Sequence, residues 1–218
     1  MRDDGSVPTT RITRLPEKAV AERAALDALL DAANVAHVGL VADGHPVVIP
    51  TAFARDGDRL LVHGSTGSRW MRLLADGAPA CVSVTALDGV VVARSAFESS
   101  LHYRSAVLFG VLTPVGGADL ARALDVLVDR LIPGRSTEVR RSSPRELAAT
   151  LLLAMPLQEW SLKVSDGWPE DEPADVAGPA WAGVVPLRAS YGEPRPAPDL
   201  RAGTEIPPSV RRLTGPDR

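Results

Sequence analysis

The spacing of apolar positions changes several times along the chain, and each change marks an element. In Pro16–Asn34, "PEKAVAERAALDALLDAAN", Val20, Leu26, Leu29, Leu30 and Ala33 fall near one face of a 3.6-residue repeat. This predicts an amphipathic helix opened by Pro16 and closed by Asn34. The repeat then shortens to that of strands. "VAHVGLV" (35–41), "PVVIPTAFA" (46–54) and "RLLVHG" (59–64) are short β-branched runs separated by "ADGH" and "RDGD", the pattern of a hairpin meander. A helix over 67–76 follows. "PACVSVTAL" and "VVVARSAF" come next, joined by Asp88-Gly89, a pair suited to a type I′ turn, and then a strand over 105–115. Six short strands in hairpin order predict an antiparallel barrel, because closure removes the edges they would otherwise expose.

Beyond the meander, Leu120, Leu124, Leu127 and Leu131 form one helical stripe that stops at Pro133-Gly134, which predicts a helix covering a barrel face. "SSPRELAATLLLAMP" sets Ser143 and Glu146 at capping-box spacing with Pro144 at the first helical position, so a second short helix is expected there. Residues 157–165 and 181–188 read as late strands, with an acidic Pro/Gly-rich loop between them. From Ser190 onward the chain lacks apolar periodicity and is rich in proline. The organisation expected is a flexible N-terminus (1–11), one mainly β (α+β) domain (12–188) and a disordered or loosely draped tail (189–218).

Composition excludes some partners. With 218 residues and 45% apolar content the chain can build a core, and a net charge of −3 supplies no basic field for nucleic acid or anionic lipid. A single cysteine, Cys81, excludes an internal disulfide framework and points to a reducing compartment. No stretch has the length of a signal core or a membrane span, so a soluble cytoplasmic protein is expected.

The candidate chemistry centres on "HGSTGSR", 63–69. Small hydroxyl residues and glycines before a helix suit a phosphate, and they equally suit an ordinary helix cap. Arg69 stands in the first turn, where a cation is unfavourable to the helix unless an anion is bound; the competing reading is a solvated arginine. His63 closes a strand beside this loop, within reach of a ligand. The other histidines, His37, His45 and His102, show no spacing of a helical metal site, and neither a nucleophile elbow nor a nucleotide-binding glycine loop is present. "ESSLHYRS" fits a pocket rim, an interface or a plain strand-entry loop, and Trp181 fits a flavin edge, a dimer contact or core packing.

Taken together, "PVVIPTAF…RLLVHGSTGSRWMRLLADGAPACVSV", "SAFESSLHYRSAVLFGVL" and "PAWAGVVPL" resemble the FMN-binding split-barrel superfamily, in its pyridoxamine 5′-phosphate oxidase-like and nitroimidazole-resistance-like branch. The resemblance covers roughly residues 12–188 and implies a six-stranded antiparallel split β-barrel with flanking helices, forming a homodimer with flavin at the subunit interface. It implies FMN held at its phosphate by Ser65, Ser68 and Arg69, with His63 nearby and the ring along Val48, Ile49, Pro50 and Thr51. Tyr103, Ser105 and Trp181 are carried over as further pocket residues, and Trp160 and Lys163 as weaker candidates. The basic C-terminal signature that grips pyridoxamine phosphate is missing, only Arg188 standing in its region, so the expected substrate is another small molecule. Oxidoreductase chemistry, a flavin carrier or sensor without turnover, and a haem-binding relative that uses a histidine all remain open.

Overall fold

The computed structural model describes residues 10–215. After a 3-10 turn at Pro16–Lys18 come β1 (Ala19–Val20), α1 (Arg23–Ala32), β2 (Val35–Ala42), β3 (His45–Asp56), β4 (Arg59–Ser65), α2 (Arg69–Ala75), β5 (Pro79–Val92), β6 (Ser100–Val111) and β7 (Thr113–Pro114). Then follow α3 (Ala118–Leu131), a 3-10 turn at Arg135–Thr137, α4 (Pro144–Ala149), β8 (Thr150–Pro156), β9 (Glu159–Ser165), α5 (Pro173–Val176), β10 (Gly183–Pro186) and α6 (Pro208–Thr214). The strands pair antiparallel in the order β1-β9-β6-β5-β2-β3-β4-β8-β7, with β10 added to β5. The path does not return on itself, so the barrel is split rather than closed.

The inner faces of the strands enclose the main core. Ala36, Val38 and Leu40 of β2, Val82 and Val84 of β5, and Ala106 and Leu108 of β6 meet Leu26, Leu29 and Leu30 of α1 and Met71 and Leu74 of α2. A second, smaller core lies outside the β3-β4-β8 part of the sheet, where Ala123 and Leu127 of α3 cover Ala54, Leu61, Leu152 and Ala154. An ion network clamps α3 there: Arg59 and Arg122 both bind Asp56 at 2.6 Å and both reach Asp119. The outer face of β3-β2-β5-β6 has no such cover. Pairing register and strand alternation put Val35, His37, Gly39, Val41, Val48, Pro50, Cys81, Val107 and Phe109 on it. Val48 is 62% and Val41 63% exposed.

Several elements differ from the sequence expectation, each for a physical reason. Pro16 opens only a 3-10 turn, and the helix proper runs from Arg23 to Ala32, with Ala33 rather than Asn34 at its C-cap. Asp88-Gly89 makes no hairpin turn: β5 runs through it over a bulge. Asp88 is held by Arg104 of β6 through two hydrogen bonds of 2.9 and 2.8 Å, and Gly89 is needed for close approach, since a Cβ there would lie 2.8 Å from Val185 O on β10. The capping box is present, with Ser143 and Glu146 each accepting the other's backbone N–H, but "TLLLAMP" after it is strand β8. Its run is apolar throughout because Leu153 and Met155 face the main core while Leu152 and Ala154 face α3.

The expectation for 1–11 falls largely outside the described residues. The tail expected to be loose is irregular over much of its length, yet it ends in α6, and Ser209 is fully buried. The Glu138 carboxylate accepts the Ser209 backbone N–H at 2.8 Å and its hydroxyl, while Arg212 donates twice to Pro133 O at 3.2 and 2.9 Å. Polar anchors of this kind leave no hydrophobic period in the sequence. Among the described residues no helix is long and apolar enough to cross a membrane.

Candidate functional site

β3 and β4 pair from Asp56↔Arg59 to Phe53↔Val62 and then part. Beyond that rung β3 continues along β2, from Val35↔Ala52 to Ala42↔His45, and β4 continues along β8 through His63↔Leu152 and Ser65↔Thr150. The split therefore opens between Val48–Thr51 on one side and His63–Arg69 on the other. Ile49 and Thr51 lie opposite Val38 and Ala36 on the inner side, whereas Val48 and Pro50 lie opposite Gly39 and His37 on the outer side.

The 65–69 segment is a tight loop. Ser65 O accepts the Ser68 N–H at 2.9 Å, Ser65 Oγ accepts the Gly67 N–H at 3.1 Å, and Thr66 N–H donates to Ala149 O at 3.0 Å, which ties the loop to the end of α4. Gly64 lets α2 approach, because a Cβ there would stand 2.9 Å from Met71 Cγ. Ser68 precedes α2, but its side chain makes no cap hydrogen bond. The cap reading of "HGSTGSR" is thus not what its serine hydroxyls do. Arg69 is 61% exposed and forms an ion pair with Asp43. Asp43 and Gly44 form the two-residue tip of the β2–β3 hairpin, with φ of 52° and 77° as a type I′ turn requires. The pair spans the mouth of the split, and Arg69 holds the Asp43 carboxyl below the usual carboxylate range. Asp43 was legible in the sequence only as a turn residue. Partial desolvation lowers the His63 imidazole below its ordinary value, favouring the neutral form.

The remaining candidates lie elsewhere in this chain. Ser105 Oγ is 3.1 Å from Thr85 Oγ1, and Tyr103 pairs with Leu87 and Ser165. Both are on β6, separated from β3 by β5 and β2, or about 14 Å at the usual strand spacing. Trp181 is 64% exposed just before β10, its ring against Gly183. Trp160 packs against the main core, and Lys163 Nζ donates to Arg14 O at 2.9 Å. His102 Nε2 lies 2.8 Å from Gly167 O. Among the described residues no group of three or more His, Cys, Asp or Glu could hold a metal ion.

Comparison with known structures agrees with this architecture. The FAD and haem binding protein of Mycobacterium smegmatis is 57% identical, with a TM-score of 0.88 over 91% of this chain and 98% of its own. The flavocytochrome Anf3 of Azotobacter vinelandii is 36% identical, with a TM-score of 0.88 over 94% of this chain and 97% of its own. A nitroimidazole antibiotic resistance protein of Bacteroides thetaiotaomicron, 18% identical with a TM-score of 0.56 over 67% of this chain and 86% of its own, shares the fold. No curated protein matches the chain. The family model described as pyridoxamine 5′-phosphate oxidase matches residues 22–164, and the chain belongs to that family.

Proposed function

We propose that the protein is a homodimeric flavoprotein that also binds haem, with the flavin nucleotide in the split between β3 and β4. The observation that carries this reading is the 57% identity to the FAD and haem binding protein over 91% of the chain. That match leaves under a tenth of the chain outside, whereas the residues after Val164, beyond the family model, make up about a quarter. Most of the C-terminal segment is therefore shared with that relative.

The residues at the split fit such a ligand. Ser68 carries a hydroxyl unused by α2, and Arg69 carries an exposed guanidinium that can exchange Asp43 for a phosphate, either the monoester of FMN with its three oxygens or the diphosphate of FAD with two charges shared over adjacent phosphates. The backbone of Val48–Thr51 provides the opposite wall. FMN was the flavin implied by the sequence; the relative's FAD favours the dinucleotide here. The donor proposed for haem iron is His63, whose imidazole partial desolvation keeps toward the neutral form. When bound, the flavin supplies hydride or electron transfer, and the chain contributes orientation and water exclusion. The substrate is then a small molecule, and the lone free Cys81 suits a reducing, cytoplasmic setting.

The absorbance spectrum of the purified protein tests the reading. Flavin bands with a Soret band are expected, and release of the flavin by heat identifies it as FAD or FMN. Absence of both chromophores after reconstitution overturns the proposal. Anaerobic reduction by NADH, NADPH or a reduced deazaflavin faster than free flavin supports an oxidoreductase; failure of all three supports a carrier.

The uncovered outer face supports the dimer, because an apolar sheet surface of this extent is unfavourable in water and a second copy would cover it. Tyr103 and Ser105 lie on that face and would then adjoin the partner. Light scattering is expected to give twice the chain mass at micromolar concentration, and Val107→Arg, which places a charge on the face, is expected to give the monomer.

A further inference from the structure

We infer that Arg141 and Arg145 form a second anion subsite, beside the 65–69 loop, that takes the distal phosphate of a flavin dinucleotide and so selects FAD over FMN. The inference rests on the proposed flavin site and concerns which nucleotide that site prefers.

Three observations carry it. The first is placement. Ser65 pairs with Thr150, and Thr66 donates to Ala149 O through its N–H at 3.0 Å and its hydroxyl at 3.4 Å, so the phosphate loop abuts the last residue of α4. Arg145 stands four residues before Ala149, about 6 Å along the helix axis, and Arg141 lies just ahead of the helix. A ligand that continues past a phosphate at 65–69 along α4 runs toward Arg145 first and Arg141 beyond it.

The second observation is charge. The chain has a net charge of −3, yet 139–146 holds Arg140, Arg141 and Arg145 against one acid, Glu146. That acid is already used: it receives Arg140 through two bonds of 2.8 and 2.6 Å and caps Ser143 N at 2.7 Å. The third observation is availability. Among the described residues Arg141 and Arg145 have no acidic partner, and both are exposed, whereas Arg135, Arg140 and Arg211 are each ion-paired. Two unneutralised guanidiniums beside a phosphate loop suit the planar, multidentate recognition of a pyrophosphate. FMN ends at its single phosphate and has nothing to offer them.

The experiment titrates the full-length protein, freed of flavin, with FAD, FMN and riboflavin, comparing the wild type with the Arg141→Ala/Arg145→Ala double variant. FAD affinity is expected to fall about tenfold or more, with a shallower dependence of log K on log salt, while FMN and riboflavin are unchanged. The Arg141→Lys/Arg145→Lys variant is expected to recover part of the loss. Unchanged FAD affinity overturns the inference. An equal fall for FAD and FMN also overturns it, because it would mean a general field rather than a distal subsite. Arg69→Ala separates the two levels: it is expected to weaken FMN and FAD alike, and a wild type that binds neither overturns the underlying reading and the subsite together.

Discussion

Arg69→Ala is expected to weaken FMN and FAD by one to two orders of magnitude and to leave riboflavin nearly unaffected. The guanidinium can grip two phosphate oxygens, and charge-assisted hydrogen bonds are worth roughly 1.5–3 kcal/mol, with about 1.4 kcal/mol per tenfold in affinity. Riboflavin has the same ring and no phosphate, so it reports on everything at the site except this contact. In the structure Arg69 is paired with Asp43, and a phosphate has to compete with that carboxylate. The pair is largely exposed, where ion pairs contribute little, so the competition costs the ligand only a small part of what the phosphate gains. Fluorescence titration of both flavins against both proteins checks this. Equal FMN affinities would leave the loop without a role in phosphate binding.

Phe53→Ala is expected to lower the melting temperature by about 6–20 °C. Phe53 is fully buried in the main core, and truncating a buried Phe to Ala costs about 3–5 kcal/mol, each kcal/mol being worth about 2–4 °C in a chain of this size. Its position adds a second effect. Phe53↔Val62 is the last rung before β3 and β4 part, so the side chain packs at the apex of the split. Flavin affinity is expected to fall with stability, because the walls carrying Val48–Thr51 and His63–Arg69 diverge from that point. Phe53→Leu, which keeps most of the volume, is expected to retain both. Calorimetry and flavin titration of the two variants check the pairing, and full binding by Phe53→Ala would show that the walls are set elsewhere.

What could be read from the sequence was what is encoded locally. The α4 capping box was legible because Ser143 and Glu146 are three residues apart and act on each other's backbone. The β2–β3 hairpin was legible because Asp-Gly favours the backbone that its tip adopts. The same dipeptide misled at 88–89, where the decisive partners, Arg104 and β10, come from distant parts of the chain. β8 misled for a related reason: a run buried on both faces has no period, and its capped helical start pointed the wrong way. The 63–69 wall was legible from its hydroxyls, glycines and arginine ahead of a helix, whereas Val48–Thr51 was named through family resemblance, since no spacing rule joins Val48 to Arg69. Asp43 and Ser209 went unrecognised because each finds its partner, Arg69 or Glu138, across long sequence separations.

The clamp on α3 makes the fold's response to acid uneven. Hydrogen bonding from Arg122, joined by Arg59, holds the Asp56 carboxyl at about 2 despite its partial burial. A carboxyl lowered in this way adds stability above its ordinary value of 3.8, and that contribution is lost as the pH falls through about 2. The main core is built from hydrophobic side chains and has no comparable sensitivity. Between about pH 4 and pH 2, α3 should loosen first and uncover Ala54, Leu61, Leu152 and Ala154 while the strands stay paired. The species expected is one that binds a hydrophobic dye and self-associates before its far-UV dichroism changes. Asp56→Asn, which cannot ionise, is expected to show that dye binding already at neutral pH.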